Sequence, residues 1–209
     1  MGRPPSGTDL KLKAAGRKLL QEKGITGLTV REACRVAGVN TGMFHYYFGS
    51  KEEFLKAVLK EMYAEFMLSF KAGVAVAGTP RERLKNALVE VGKFARSVRS
   101  VAPMIFADLA HGKKEAFAFV RENFTEHIHQ VAVLAQECCP SCAVKGHSTP
   151  FIVAALVPVM IFPVLIGGML ERNGVKEVGG ESLEKLRKEM FSDEGIAERA
   201  EIAVRGIGL

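Results

Sequence analysis

The sequence predicts an all-α chain: a three-helix N-terminal head with a larger C-terminal helical bundle behind it. Two observations predict this. Apolar residues recur at the three- and four-residue spacing of amphipathic helices, with no convincing period-two alternation and no internal repeat. Two short helical patterns also flank a tight turn at Gly38-Val39-Asn40. Two helices set steeply across a glycine-containing turn are the helix-turn-helix, whose second helix lies in a groove of duplex DNA. The expected domains are residues 1–50 for the DNA-binding head and 51–209 for the larger helical bundle.

Charge points to the same end of the chain. Residues 1–51 hold nine Lys/Arg against three Asp/Glu, and residues 52–209 hold twenty of each. The whole net charge of +6 therefore sits on the segment with the turn motif. A cationic head of this kind attracts phosphate and makes binding salt-dependent.

Each helix has its own signals. Residues 1–7 read as a Pro/Gly/Ser arm carrying Arg3, without fixed structure of its own. The first helix is expected over residues 8–23, with Thr8 as N-cap, Asp9 on the positive end of the dipole, and Gly24 as the stop. Leu12, Ala15, Leu19 and Leu20 form its inward face. The second spans 30–37, opened by Thr29 and Glu32 in a capping-box pattern and closed by Gly38. The third spans 41–48 and ends at Gly49. At about 1.5 Å per residue it is close to the width of the major groove. Ser50 caps a fourth helix reaching about residue 71, with Glu52 and Glu53 in its first turn.

Further along, 73–78 reads as a linker, and Thr79-Pro80 opens a helix to about 98. A short helix starts at Pro103, and a long one covers 113–137. A loop, CCPSCAVKGHS, follows. Residues 149–170 carry no charge over 22 positions, enough to span a bilayer or to serve as a subunit-pairing helix. Weak Lys/Arg flanks and the interior Pro158, Pro163, Gly167 and Gly168 favour subunit pairing, so no membrane partner is expected. Residues 174–180 separate this helix from a last segment, 182–205, bent near Ser192–Gly195. The start of the chain has no apolar signal-like run, so a cytoplasmic location is expected.

The run TVREACRVAGVNTGMFHYYFGSKEEF at 29–54 resembles the head of the TetR family of bacterial transcriptional repressors, over about residues 10–59. The resemblance implies a homodimer that binds palindromic double-stranded operator DNA and is released by a small-molecule effector, with residues 51–209 serving ligand binding and dimerisation. His45 stands where the family often has Tyr, and Cys34 where it prefers Ala.

The candidate DNA-binding residues are Thr29, Arg31, Asn40, Thr41, Gly42, His45, Tyr46, Tyr47 and Lys51. A helix N-terminus at Thr29 attracts phosphate. Arg31 suits phosphate or a base edge, and its bland counterpart is a solvated charge. Asn40, Thr41 and Gly42 form the leading end of the third helix, where base edges are reached. Phe44 and Phe48, one turn apart, should anchor that helix while His45 and Tyr46 face outward. Tyr47 matches the family's phosphate-contacting aromatic. Lys51 follows the cap, beside Glu52 and Glu53. An apolar effector would be lined by Phe94, Met104, Phe106, Phe117, Phe124, Phe151, Met160 and Phe162.

Cys139 and Cys142 form a C-x-x-C with His147 five residues on, the alternative being a thiol- or metal-sensing regulator. A single pair without a preceding strand argues for a reduced loop instead, so no metal and no cofactor are expected. No Gly-rich phosphate loop, facing carboxylate pair or Ser-His-Asp set argues for an enzyme.

Overall fold

The computed structural model describes residues 7–138 and 146–207, apart from the side chains of residues 24–26, 115, 123 and 124. Among the described residues the regular elements are helices and one two-stranded hairpin, joined by turns. The chain forms two compact units, Met1–Glu65 and Phe66–Leu209. Their boundary falls inside a helix, well beyond the residue 50/51 junction read from the sequence.

The first unit holds α1 (Thr8–Gly27), α2 (Val30–Ala37), α3 (Thr41–Phe48) and the start of α4 (Lys51–Ala75). Its core is Leu12, Leu19, Leu20, Leu28, Ala33, Phe44, Phe54 and Val58, all fully buried. Gly16 lets α1 approach α4: a Cβ there would lie 2.6 Å from the Phe54 ring. At the rim of the same contact Lys13 meets Glu61 at 2.5 Å, and Arg17 donates to Glu65 at 2.8 Å. Two sequence expectations fail here. Thr8 is the first helical residue rather than the cap, because the Gly7 carbonyl already accepts from the Lys11 N–H at 3.0 Å. Gly24 does not stop α1, which runs to Gly27. One interior glycine costs only about 1 kcal/mol, and fully buried Leu28 holds the next segment down.

The second unit holds the rest of α4, α5 (Pro80–Ser97), α6 (Ala102–Ala110), α7 (Lys114–Glu137), α8 (Thr149–Arg172), β1 (Glu177–Val178), β2 (Glu181–Ser182), α9 (Leu183–Phe191) and α10 (Asp193–Gly206). Helix α5 is central, packed by α7, α8 and α10. It begins with a full capping box: Thr79 accepts from the Glu82 N–H, and Glu82 accepts from the Thr79 N–H at 2.7 Å. Gly92 brings it against α8 and α10, since a Cβ would strike Ile196 and Met160.

Helix α8 is apolar all round but buried on one side only. Ile152, Leu156, Met160 and Val164 face the core. Gly167 and Gly168 allow close approach to Phe191 and to the Arg99 carbonyl. Phe151, Phe162, Ile166 and Met169 face outward.

Helix α4 runs to Ala75, into the segment read as linker. The hairpin was not expected from the sequence. Gly179 and Gly180, at φ 60° and 84°, form the two-residue turn that pairs Val178 with Glu181. The expected bend divides the last segment, with Ser192 capping α10 through the Gly195 N–H at 3.1 Å.

Candidate nucleic-acid interface

The turn between α2 and α3 is fixed by backbone chemistry. Gly38 has φ 68°, a left-handed conformation that disfavours side chains with a Cβ. Its N–H bonds the Arg35 carbonyl and the Val39 N–H bonds the Cys34 carbonyl, at 3.3 and 3.0 Å. This is a Schellman closure, and it satisfies carbonyls that would otherwise be orphaned. Two residues later Asn40 opens α3, its Oδ1 accepting from the Met43 N–H at 2.9 Å.

Helix α3 is tied off at its other end by His45 and Gly49. The Gly49 N–H bonds the His45 carbonyl at 3.0 Å, and His45 Nδ1 lies 2.9 Å from the Gly49 oxygen. A carbonyl oxygen only accepts, so Nδ1 carries the hydrogen there. Ser50 then caps α4 through the Glu53 N–H at 3.1 Å.

The faces of α3 divide as its spacing requires. Phe44 is fully buried and packs edge-on against Phe54, with centroids 4.9 Å apart; half-buried Phe48 sits 4.8 Å from the same ring. Thr41, Gly42, His45 and Tyr46 are exposed, Tyr46 at 71%. Thr29, Arg31 and Asn40 are exposed beside them, while Tyr47 and Lys51 are half-buried. The first unit thus carries all nine sequence-predicted DNA residues, six on α3 and its cap and three at the starts of α2 and α4. Tyr47 also shares a shallow hollow with Lys13 of α1 and Lys60 of α4. Reasoning from the sequence missed this pair of lysines, because their nearness to Tyr47 depends on packing between helices.

The capping box expected at Thr29 is only half made. Thr29 Oγ1 accepts from the Glu32 N–H at 3.1 Å. The Glu32 carboxylate turns instead to Arg35 at 2.8 Å and Lys23 at 2.9 Å. Arg35 first, then Lys23, holds that carboxyl down at about 2. Arg31, one residue earlier, has no such carboxylate partner among the described residues.

The predicted effector residues are scattered. Phe94 stacks on Phe66 at 4.5 Å, Met104 is half-buried, and Met160 is fully buried. Phe106, Phe117, Phe151 and Phe162 lie at the surface, 45–60% exposed. The side chain of Phe124 is outside the described residues. Phe162 alone of these residues lines the apolar groove beside α9. Inside the bundle, His127 is buried edge-on against Phe66 at 5.0 Å, and burial pushes its imidazole down to about 4.

Cys139 and Cys142 also lie outside the described residues. Their neighbour Cys138 is pushed up to about 11 by burial, and then by Glu137, so its thiol stays protonated near neutral pH. His147 stacks on Phe151 at 4.0 Å. Among the described residues no three His, Cys, Asp or Glu side chains gather to hold a metal ion.

An exposed helix on an aromatic pedestal, entered through a glycine-closed turn, is a helix-turn-helix head. Residues 12–58 match the sequence model of bacterial regulatory proteins of the tetR family. The HTH-type transcriptional regulator BetI of Rhizobium meliloti is 35% identical over 77 residues, 37% of this chain and 37% of that protein. The HTH-type transcriptional repressor NemR of Escherichia coli is 40% identical over 55 residues, 26% and 28% of the two chains. These matches span little more than a third of the relatives' length at most.

Whole-chain likeness appears in the fold. FadR of Bacillus halodurans has a TM-score of 0.70 at 15% identity, covering 100% of this chain and 99% of its own. A TetR transcription regulator from Haloarcula marismortui scores 0.70 at 18% identity, covering 97% and 98%. FadR of Bacillus subtilis, in complex with stearoyl-CoA, scores 0.67 at 16% identity, covering 95% and 98%. Residues 12–58 are thus similar to the N-terminal part of tetR-family bacterial regulatory proteins, and the chain as a whole has the fold of the regulators it resembles.

Proposed function

We propose that this chain is a ligand-responsive repressor that binds palindromic operator DNA as a homodimer and is released by a small apolar effector. The observation that carries this reading is the divided face of α3. Its anchors, Phe44 and Phe48, are turned to the core, and Thr41, Gly42, His45 and Tyr46 are presented to solvent. Asn40, Thr41 and Gly42 would reach base edges, Arg31, His45 and Tyr46 base edges or phosphates, and Thr29, Tyr47 and Lys51 phosphates. The printed roles of BetI as a regulator and NemR as a repressor support a repressing action. Stearoyl-CoA bound by one protein of this fold supports an apolar effector.

Dimerisation would use the outward face of α8 together with the last helices, setting two copies of α3 about 34–36 Å apart, one turn of DNA. The effector would act by preferring a state whose spacing misses successive grooves, and near-complete release needs about a 10⁴-fold preference.

Selecting bound sequences from random duplexes tests the whole reading, and a palindrome should emerge. Gel-shift titration then separates the roles. Lys51→Ala should weaken binding to every duplex and reduce the salt slope by about one. Thr41→Ala should change which palindrome is preferred. Wild-type affinity and preference in both variants would refute the assignment.

A further inference from the structure

On the outward face of α3, His45 has one ring nitrogen already committed. Its Nδ1 donates to the Gly49 carbonyl at 2.9 Å, and the Gly49 N–H donates to the His45 carbonyl at 3.0 Å. The tie is two-way and one partner is backbone. Gly49 sits at φ 69°, in the left-handed region that a residue with a Cβ resists, so the turn itself directs that carbonyl. The ring also meets Phe44 edge-on, with centroids 5.5 Å apart.

Such a tie sets the tautomer as well as the direction of the ring. With the hydrogen on Nδ1, Nε2 of the neutral ring carries a lone pair and no hydrogen. Nε2 has no hydrogen-bond partner among the described residues, and His45 is exposed one turn beyond Thr41. This polarity decides between the two contacts open to the side chain. A phosphate oxygen only accepts, so it gains nothing from a bare Nε2. Guanine N7 and O6 and thymine O4 also accept, and they repel a lone pair. The donors in the major groove are the exocyclic amines, N6 of adenine and N4 of cytosine.

We propose that His45 reads the exocyclic amine of adenine or cytosine, with Nε2 as the acceptor, and makes no phosphate contact. The role rests on the proposed entry of α3 into the groove, whereas the tautomer belongs to the free protein and is measurable without DNA.

Nitrogen-15 spectra of the full chain in mildly basic buffer should show His45 Nδ1 protonated and Nε2 bare. A hydrogen on Nε2 would overturn the proposal. Sequences are then selected from random duplexes by the wild type and by His45→Ala, whose helicity is checked by circular dichroism. The variant should lose its preference at one base pair of each half-site and keep the rest. At that pair the amine is deleted, with purine in place of adenine or 2-pyrimidinone in place of cytosine. Wild-type affinity should fall about three- to tenfold, the worth of one hydrogen bond, while His45→Ala should bind both duplexes equally. Whichever base the pair holds identifies the amine. The salt slope of binding should be the same for both proteins. A slope lower by about one in the variant would mark a charged phosphate contact and overturn the proposal. An equal effect of amine deletion on both proteins would overturn it as well. If a palindrome emerges without this coupling, the role of His45 alone fails; if the wild type selects no palindrome, the DNA reading fails and takes the proposal with it.

Discussion

At Gly38 the backbone alone sets the cost of a side chain. A Cβ there would meet nothing within 4 Å, so only the left-handed φ of 68° resists it. Gly38→Ala should therefore cost the first unit about 1 kcal/mol, through strain rather than crowding. Chemical denaturation should register this as a lower midpoint with an unchanged slope. His127 is the opposite case, because packing sets its behaviour. Burial between aromatic rings holds its imidazole at about 4, against an ordinary value near 6.5 in the unfolded chain. Between those values the unfolded state binds a proton that the folded state refuses. Stability is then complete above about pH 6.5 and falls as pH drops toward 4, by at most about 1.4 kcal/mol per unit. Urea midpoints at pH 7 and pH 5 should differ for the wild type, and His127→Leu should narrow that difference.

Among elements, local signals were legible where they act within a few residues. The Gly38 closure, the Asn40 turn, the Thr79-Pro80 start and the limits of α8 all follow from side chains adjacent to the backbone they satisfy. Signals that depend on partners were not. Gly24 and Gly73 looked like stops, yet the helices run through both, because one glycine is a weaker penalty than the burial gained by continuing. Glu32 looked like half of a capping box and is taken by Arg35 and Lys23 instead. Gly179-Gly180 was a readable hairpin signal, hidden among glycines taken together as a separator.

The two interior glycines Gly16 and Gly73 should respond to alanine with opposite signs. At Gly16 the new methyl would overlap the buried Phe54 ring, and overpacking of about 1–3 kcal/mol outweighs the helix propensity gained. At Gly73 the nearest atom lies 3.5 Å away, an ordinary contact, so alanine should stabilise by about 0.5–1 kcal/mol. Thermal melts of the two variants should move in opposite directions.

For the whole molecule, the informative surface is the outer side of α8. By length and composition this helix could cross a membrane. Its inner side is committed to the α5, α7 and α10 core, which leaves Phe151, Phe162, Ile166 and Met169 as one outward apolar row. A row of this kind is the contact face that the proposed dimer would use. Under the proposed dimer, Phe162→Glu should shift sedimentation from dimer toward monomer and lower operator affinity at least tenfold. A dimer that persists with the charge in place would move the interface elsewhere. The candidate effector residues were the least legible from sequence, because aromatic and methionine content says what a surface is made of but not which way it faces. Half of that set lies at the surface, where it can serve contact between chains as well as contact with a ligand.

The two tied ends of α3 have a consequence for energetics. Asn40 closes one end and the His45–Gly49 pair the other, so this eight-residue helix is capped at both ends in the free protein. Under the proposed function, a duplex docking there would meet a capped helix and incur little ordering cost. The heat-capacity change of association should then match the area covered, without the excess that accompanies folding on contact.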